Sequence, residues 1–87
     1  MEVRTIKETE NELLIELPGE SETFANLIKE ELWNVAGVIE AAFIKEHPEL
    51  SEVKIWIKTE NIKPREALKK AIKNFIEKLE KLKKEYE

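Results

Sequence analysis

Hydrophobic and polar positions alternate with a period of two at the start of the chain and with a helical period further on. Residues 2–7, EVRTIK, and 12–17, ELLIEL, show the short-range alternation. The polar stretch ETEN separates them, so the two runs predict a β-hairpin. In the second run Leu13, Ile15 and Leu17 share one face. Pro18-Gly19 then stops the strand, because proline donates no ladder hydrogen bond and glycine permits a sharp turn. From there apolar residues recur at Phe24, Leu27, Ile28, Leu32 and Val35, a helical stripe widened by Ala25 and Trp33. Ser21 is the expected N-cap, with Thr23 as a competitor, and Glu20 and Glu22 complement the positive helix end. Asn34 and Gly37 mark where this helix should stop.

The run VIEAAFI, 38–44, is apolar on both faces: Val38, Ala42 and Ile44 on one, Ile39, Ala41 and Phe43 on the other. That composition predicts an interior strand covered on both sides. A loop containing His47-Pro48 leads to EVKIWIKT, 52–59, where Val53, Ile55 and Ile57 alternate with Lys54, Trp56 and Lys58. The final element begins near Lys63-Pro64, proline being well placed in a first helical turn. About 22 helical residues make roughly 33 Å, whereas a strand of about six to eight residues spans roughly 20 to 27 Å. The helix should therefore outrun the sheet. Its broad apolar stripe (Ala67, Leu68, Ala71, Ile72, Phe75, Ile76) gives way to Leu79, Leu82 and Tyr86 alone. Leu68, Ile72, Phe75, Leu79, Leu82 and Tyr86 alternate spacings of four and three, the seam of paired helices. The first half is expected on the chain's own sheet, and the second half asks for another helix. The order ββαββα predicts an α+β fold: a two-layer sandwich with a four-stranded antiparallel sheet, two helices on one face, and a long, protruding C-terminal helix.

Composition narrows the chemistry. At 87 residues the chain fits one compact domain with a modest core. It has no cysteine, which excludes disulfides and thiolate metal sites and points to a reducing, cytoplasmic home. The N-terminus lacks the basic end and unbroken apolar run of a secretory signal, and no apolar stretch is long enough to span a bilayer. Charged residues reach 39%, a balance suited to heat adaptation or to a solubilising surface. Net charge is −4, yet residues 1–62 hold 6 basic and 14 acidic side chains against 9 and 5 in 63–87. Acids interrupt the lysines of this basic tail, which favours a solvated helix face over a nucleic-acid contact.

Catalytic patterns are mostly absent. The two glycines, Gly19 and Gly37, form no phosphate loop, and His47 is the sole histidine. Ser51 lacks a nucleophile-elbow context, and His47 with Glu46 or Glu49 is no metal cluster. Glutamates three or four residues apart on the helices read as a solvated face, since paired carboxylates catalyse only where a cleft shifts their pKa values. Trp56 between Lys54 and Lys58 resembles a crude stacking platform for single-stranded nucleic acid, but packing against a neighbour or a helix edge is the better account of a single tryptophan there. What exceeds the needs of a small sandwich is apolar surface, the mark of a partner.

The stretch GESETFANLIKEEL, 19–32, resembles the helix-one signature of subunit L of archaeal DNA-directed RNA polymerase, of the form GEDHTLANLLREEL. Gly19, Glu20, Thr23, Ala25, Asn26, Leu27, Glu30, Glu31 and Leu32 match, with Phe24, Ile28 and Lys29 as mild replacements. The likeness continues through the opening MEVRTIKETENELLIEL, through EAAFIKEHPEL and through IKPREAL, 62–68. Ser21-Glu22 stands where the family has Asp-His, and the segment from His47 to Val53 is a residue or two shorter. The family is similar in fold to the dimerising part of the bacterial polymerase alpha subunit.

The resemblance implies that residues 1–87 form a single dimerisation domain. It further implies a non-catalytic assembly subunit that pairs with the RNA polymerase D subunit, the heterodimer being the platform for the large catalytic subunits. Phe24, Leu27, Ile28, Phe75, Leu79, Leu82 and Tyr86 would then face the partner's equivalent helices in a four-helix interface. No cofactor, metal or direct nucleic-acid contact is expected. An alternative turns the same helical surface on a second copy, as a stand-alone homodimer or redesigned scaffold. A third reading uses Trp56 and the basic helix to bind nucleic acid.

Overall fold

The computed structural model describes residues 2–45 and 52–86. The loop readings at His47-Pro48, Glu46, Glu49 and Ser51 lie outside the described residues. The elements follow in the order β1 (Arg4–Glu8), β2 (Glu12–Leu17), α1 (Glu22–Leu32), β3 (Val38–Ile44), β4 (Val53–Thr59) and α2 (Pro64–Glu85). This is the expected α+β arrangement: four antiparallel strands in one open sheet, with two helices packed on one face.

The hairpin forms because Thr9 closes it. Its hydroxyl accepts from the backbone N–H of Glu12 at 3.0 Å and of Asn11 at 3.3 Å, while its own N–H donates to the Glu12 carbonyl at 2.8 Å. At the far end of β2, Pro18 and Gly19 occupy a tight turn in which Gly19 takes φ +76° and Glu20 N–H donates to the Leu17 carbonyl. Proline followed by a positive-φ glycine is the composition a type II turn requires. Ser21 wins the capping competition, its hydroxyl accepting from the Phe24 N–H at 3.0 Å. The helix it starts is shorter than the apolar stripe suggests. Beyond Leu32 the backbone tightens, with Asn34 donating to Glu31 and Val35 to Leu32 at 3.0 Å each, so Val35 joins the core from outside the helix.

The strand order is β1-β2-β4-β3. Cross-strand pairs Leu13 with Ile57, Ile15 with Ile55 and Leu17 with Val53 put one apolar row under the helices. Ala25, Ile28 and Leu32 of α1 and Ala67, Leu68 and Ala71 of α2 close over it. Three of those six are alanines with no exposed surface, so the helices sit close to the strands.

Strand β3 departs from expectation. It lies at the sheet edge and not in its interior, and Ile39 is 46% exposed. Its faces also differ from simple alternation. A bulge between Val38 and Glu40 pairs Val38 with Thr59, Ala41 with Ile57 and Phe43 with Ile55. Val38 thus shares the helix-side face with Ala41 and Phe43, because one extra residue reverses the alternation beyond it. Trp56 sits half-buried on the open face, flanked across the ladder by Leu14 and Ala42.

Two contacts fasten the periphery. Gly37 has φ +96°, and a Cβ there would lie 2.6 Å from Ile62 Cγ2 and 2.8 Å from the Glu60 carbonyl oxygen. Its own carbonyl accepts from Glu60 N–H at 2.8 Å. At the other edge, Arg65 at the start of α2 donates from Nε and Nη2 to the two carboxylate oxygens of Glu8, at 2.9 and 2.8 Å. Hydrogen bonding from Arg65 holds the Glu8 carboxyl below its ordinary value, against a smaller opposing effect of desolvation.

Gly37→Ala should therefore destabilise the fold by roughly 1–3 kcal/mol, through strain at positive φ and the clash with Ile62; urea unfolding measures it. A carboxylate with a depressed folded pKa contributes stability that is present above the unfolded value and lost as pH falls through the folded one. In Arg65→Ala, the NMR-titrated Glu8 pKa should rise toward the free-glutamate value, and the acid loss of stability should shrink.

Candidate partner interface

The two helices are joined along their length by one aromatic and one ionic contact. Phe24 meets Phe75 edge to face, with ring centroids 5.9 Å apart and planes at 78°, a geometry that contributes about 0.5–1.5 kcal/mol beyond area burial. Two turns further along α1, Glu31 is buried and its carboxylate accepts from the Lys78 ammonium. Glu31 lies among otherwise apolar inward positions. A carboxylate there without a cation would leave a desolvated charge, so Lys78 defines how α2 passes α1.

Beyond that crossing none of the described residues covers α2. Every described residue from Ile76 onward is exposed. The apolar members of the seam are therefore left in water: Leu79 and Leu82 are each 50% exposed, and Tyr86 is 85% exposed. Leu27 on α1 is also exposed, and Phe24 and Phe75 are half-buried where they meet.

One residue expected at the partner surface is elsewhere. Ile28 is 2% exposed and packs in the core beneath both helices, because it lies on the α1 face shared by Ala25, Leu32 and, after the tightened turn, Val35. Conversely, Ile76, expected on the sheet, is exposed. With Ile72 it floors a shallow open groove of about 440 Å³, rimmed by Lys69, Lys73, Glu77 and Glu80. Helix length carries the signal, since Ile76 lies about 18 Å from the start of α2 at 1.5 Å per residue, near the end of a strand's reach.

Other concavities include a small apolar gap among Val3, Ile15, Leu17, Ile28, Ile55, Leu68 and Ile72 and several open notches rimmed by charged side chains. A notch of about 480 Å³ between the helices is lined by Glu31, Asn34, Asn74, Glu77, Lys78 and Lys81. Among the described residues no group of three or more His, Cys, Asp or Glu side chains could hold a metal ion. No described helix is long and apolar enough to cross a membrane. What the arrangement offers chemically is apolar area along a projecting helix.

Comparison with known proteins bears on that surface. Residues 12–85 match the family described as the RNA polymerase Rpb3/Rpb11 dimerisation domain. The DNA-directed RNA polymerase subunit Rpo11 of Metallosphaera sedula is 44% identical over 75 residues, 85% of this chain and 83% of the relative. That of Sulfolobus acidocaldarius is 44% identical over 73 residues, 83% and 81% of the two chains. The crystal structure of RNA polymerase subunit L from Thermoplasma acidophilum superposes with a TM-score of 0.88, covering 98% of this chain and 84% of that one. At 24% identity that last likeness establishes a shared fold.

Truncating Lys78→Ala should destabilise the chain by roughly 1–3 kcal/mol, the penalty for a buried polar group left unpaired. The double replacement Glu31→Leu with Lys78→Leu should recover much of that loss in the same denaturant series, because removing both charges removes the desolvation penalty.

Proposed function

We propose, from the fact that the chain belongs to the RNA polymerase Rpb3/Rpb11 dimerisation-domain family, that it is a non-catalytic assembly subunit of a cytoplasmic DNA-directed RNA polymerase. It acts as a single dimerisation domain and pairs with the polymerase D subunit. The heterodimer is the platform on which the large catalytic subunits assemble. The observation that carries this reading is the second half of α2, a helix that projects past its own sheet with Leu79, Leu82 and Tyr86 exposed in seam spacing.

The pairing is driven by burial of that apolar area. At roughly 25 cal/mol per Å² the gross gain is large, and only the surplus over ordering costs appears as affinity. Leu27, Phe24 and Phe75 contribute the exposed and half-buried surface nearer the sheet. Ile28 supports them from below. The chain supplies position and shape to the enzyme, and phosphoryl transfer is left to the large subunits.

Size-exclusion chromatography with light scattering, run on the chain alone and mixed with an archaeal polymerase D subunit, tests the proposal. A one-to-one heterodimer is expected. Leu79→Asp and Leu27→Asp should each weaken it by roughly 100-fold, the effect of a charge in a desolvated interface centre. Unchanged affinity in both variants would overturn the assignment of the surface. A homodimer indifferent to the D subunit would mean that the helical face serves a stand-alone dimer instead.

A further inference from the structure

A second surface lies away from the helical seam. Strand β3 has β4 as its sole neighbour, and among the described residues nothing pairs with its outer side. Six of its seven residues are apolar, on both faces, which is the composition of a covered strand. Ala42, Phe43 and Ile44 are half-buried, and Ile39 is exposed. Proteins commonly blunt a free edge with charge, bulges or cover. The opposite edge does so: four of the five β1 residues are polar or charged, a bulge interrupts it, and Arg65 clamps it through Glu8 and Thr5. At β3 the bulge is confined to Val38–Glu40, which leaves the run 40–44 regular and open.

Charge on the open face says what fits there. One cross-strand row reads Glu12, Lys58, Glu40, with Lys7 bonded to Glu12 at 3.3 Å. Signs alternate along it, and the row stops at Glu40. The next place in the ladder therefore favours a cation, since opposite charges across strands stabilise and like charges repel. The neighbouring open-face positions, Ala42 and Ile44, favour apolar residues. We infer that the free edge of β3 accepts an extended segment of another polypeptide, carrying lysine or arginine opposite Glu40 and apolar residues opposite Ala42 and Ile44. Main-chain hydrogen bonds supply the attachment and the alternate side chains the selectivity, as in β-strand addition generally.

Neither edge strand of a second copy meets that description: β1 carries Arg4 and Lys7, but they are bonded to Glu16 and Glu12 and a bulge interrupts the strand between Thr5 and Lys7. The open face of its own β3 carries Glu40, Ala42 and Ile44 and no cation. Lys45, the nearest cation in sequence, lies just beyond the strand and is already bonded to Glu22 at 3.1 Å.

The test is an amide-resolved NMR titration of the full chain with two capped pentapeptides. Each has lysine at one end, to cover both strand directions, and valines at the second and fourth positions from it. Their outer-edge amides are N-methylated to stop self-association. Shifts confined to residues 39–45 are expected. Glu40→Lys, a replacement at an exposed site, should weaken binding at least tenfold, and exchanging the peptide lysine for glutamate should restore it. Shifts absent from β3, or indifferent to the charge exchange, would overturn the inference. So would broadening of β3 amides that grows with the chain's own concentration and is not displaced by peptide, since the occupant would then be a second copy. The D subunit is absent throughout, so neither outcome depends on the heterodimer.

Discussion

The register between β2 and β4 is the constraint from which the rest of the molecule follows. These central strands place Leu13, Ile15 and Leu17 beside Ile57, Ile55 and Val53 on one face. Side chains alternate along a strand, so a slip of one residue would turn either Glu12 and Glu16 or Lys54 and Lys58 inward. That apolar row is what both helices rest on. The alanines Ala25, Ala67 and Ala71 let them approach closely, and the clamps at Gly37 and Arg65 fasten the sheet's outer parts to it.

A second constraint is length. Seven residues of strand cannot underlie 22 residues of helix, since each strand residue rises about 3.3 Å and each helical residue about 1.5 Å. The surplus falls at the C-terminal end because Pro64 anchors the start of α2 in the core. Lys78, paired to buried Glu31, sits close to where cover ends. The ionic contact therefore sets the direction in which the uncovered seam points.

Much of this was legible in the chain. Alternation located β2 and β4, the serine before a helical stripe located the start of α1, and proline located that of α2. The departure at β3 has a physical reason: an apolar strand reads the same whether a neighbour within the chain or something outside it covers its free side. The bulge at Val38–Glu40 adds one residue with no compositional mark, so the face of Val38 could not be read from alternation. Ile28 shows the same limit on a helix. The seam and the core stripe of α1 differ by a fraction of a turn, and both are apolar. The buried role of Glu31 was hidden because its partner is 47 positions away, beyond the reach of any local pattern.

The uncovered half of α2 has a consequence for how copies of the chain are kept in number. Its backbone hydrogen bonds are its own, but a helix of about ten residues without tertiary packing is marginal in water. That segment opens at little free-energy cost while the rest of the molecule stays folded. Covering the seam raises the cost of opening. Under the pairing proposed above, a copy without its partner would offer this segment to a protease and a paired copy would shield it. On the proposed pairing, the overhang that meets the partner would also be the segment by which an unpaired subunit is cleared.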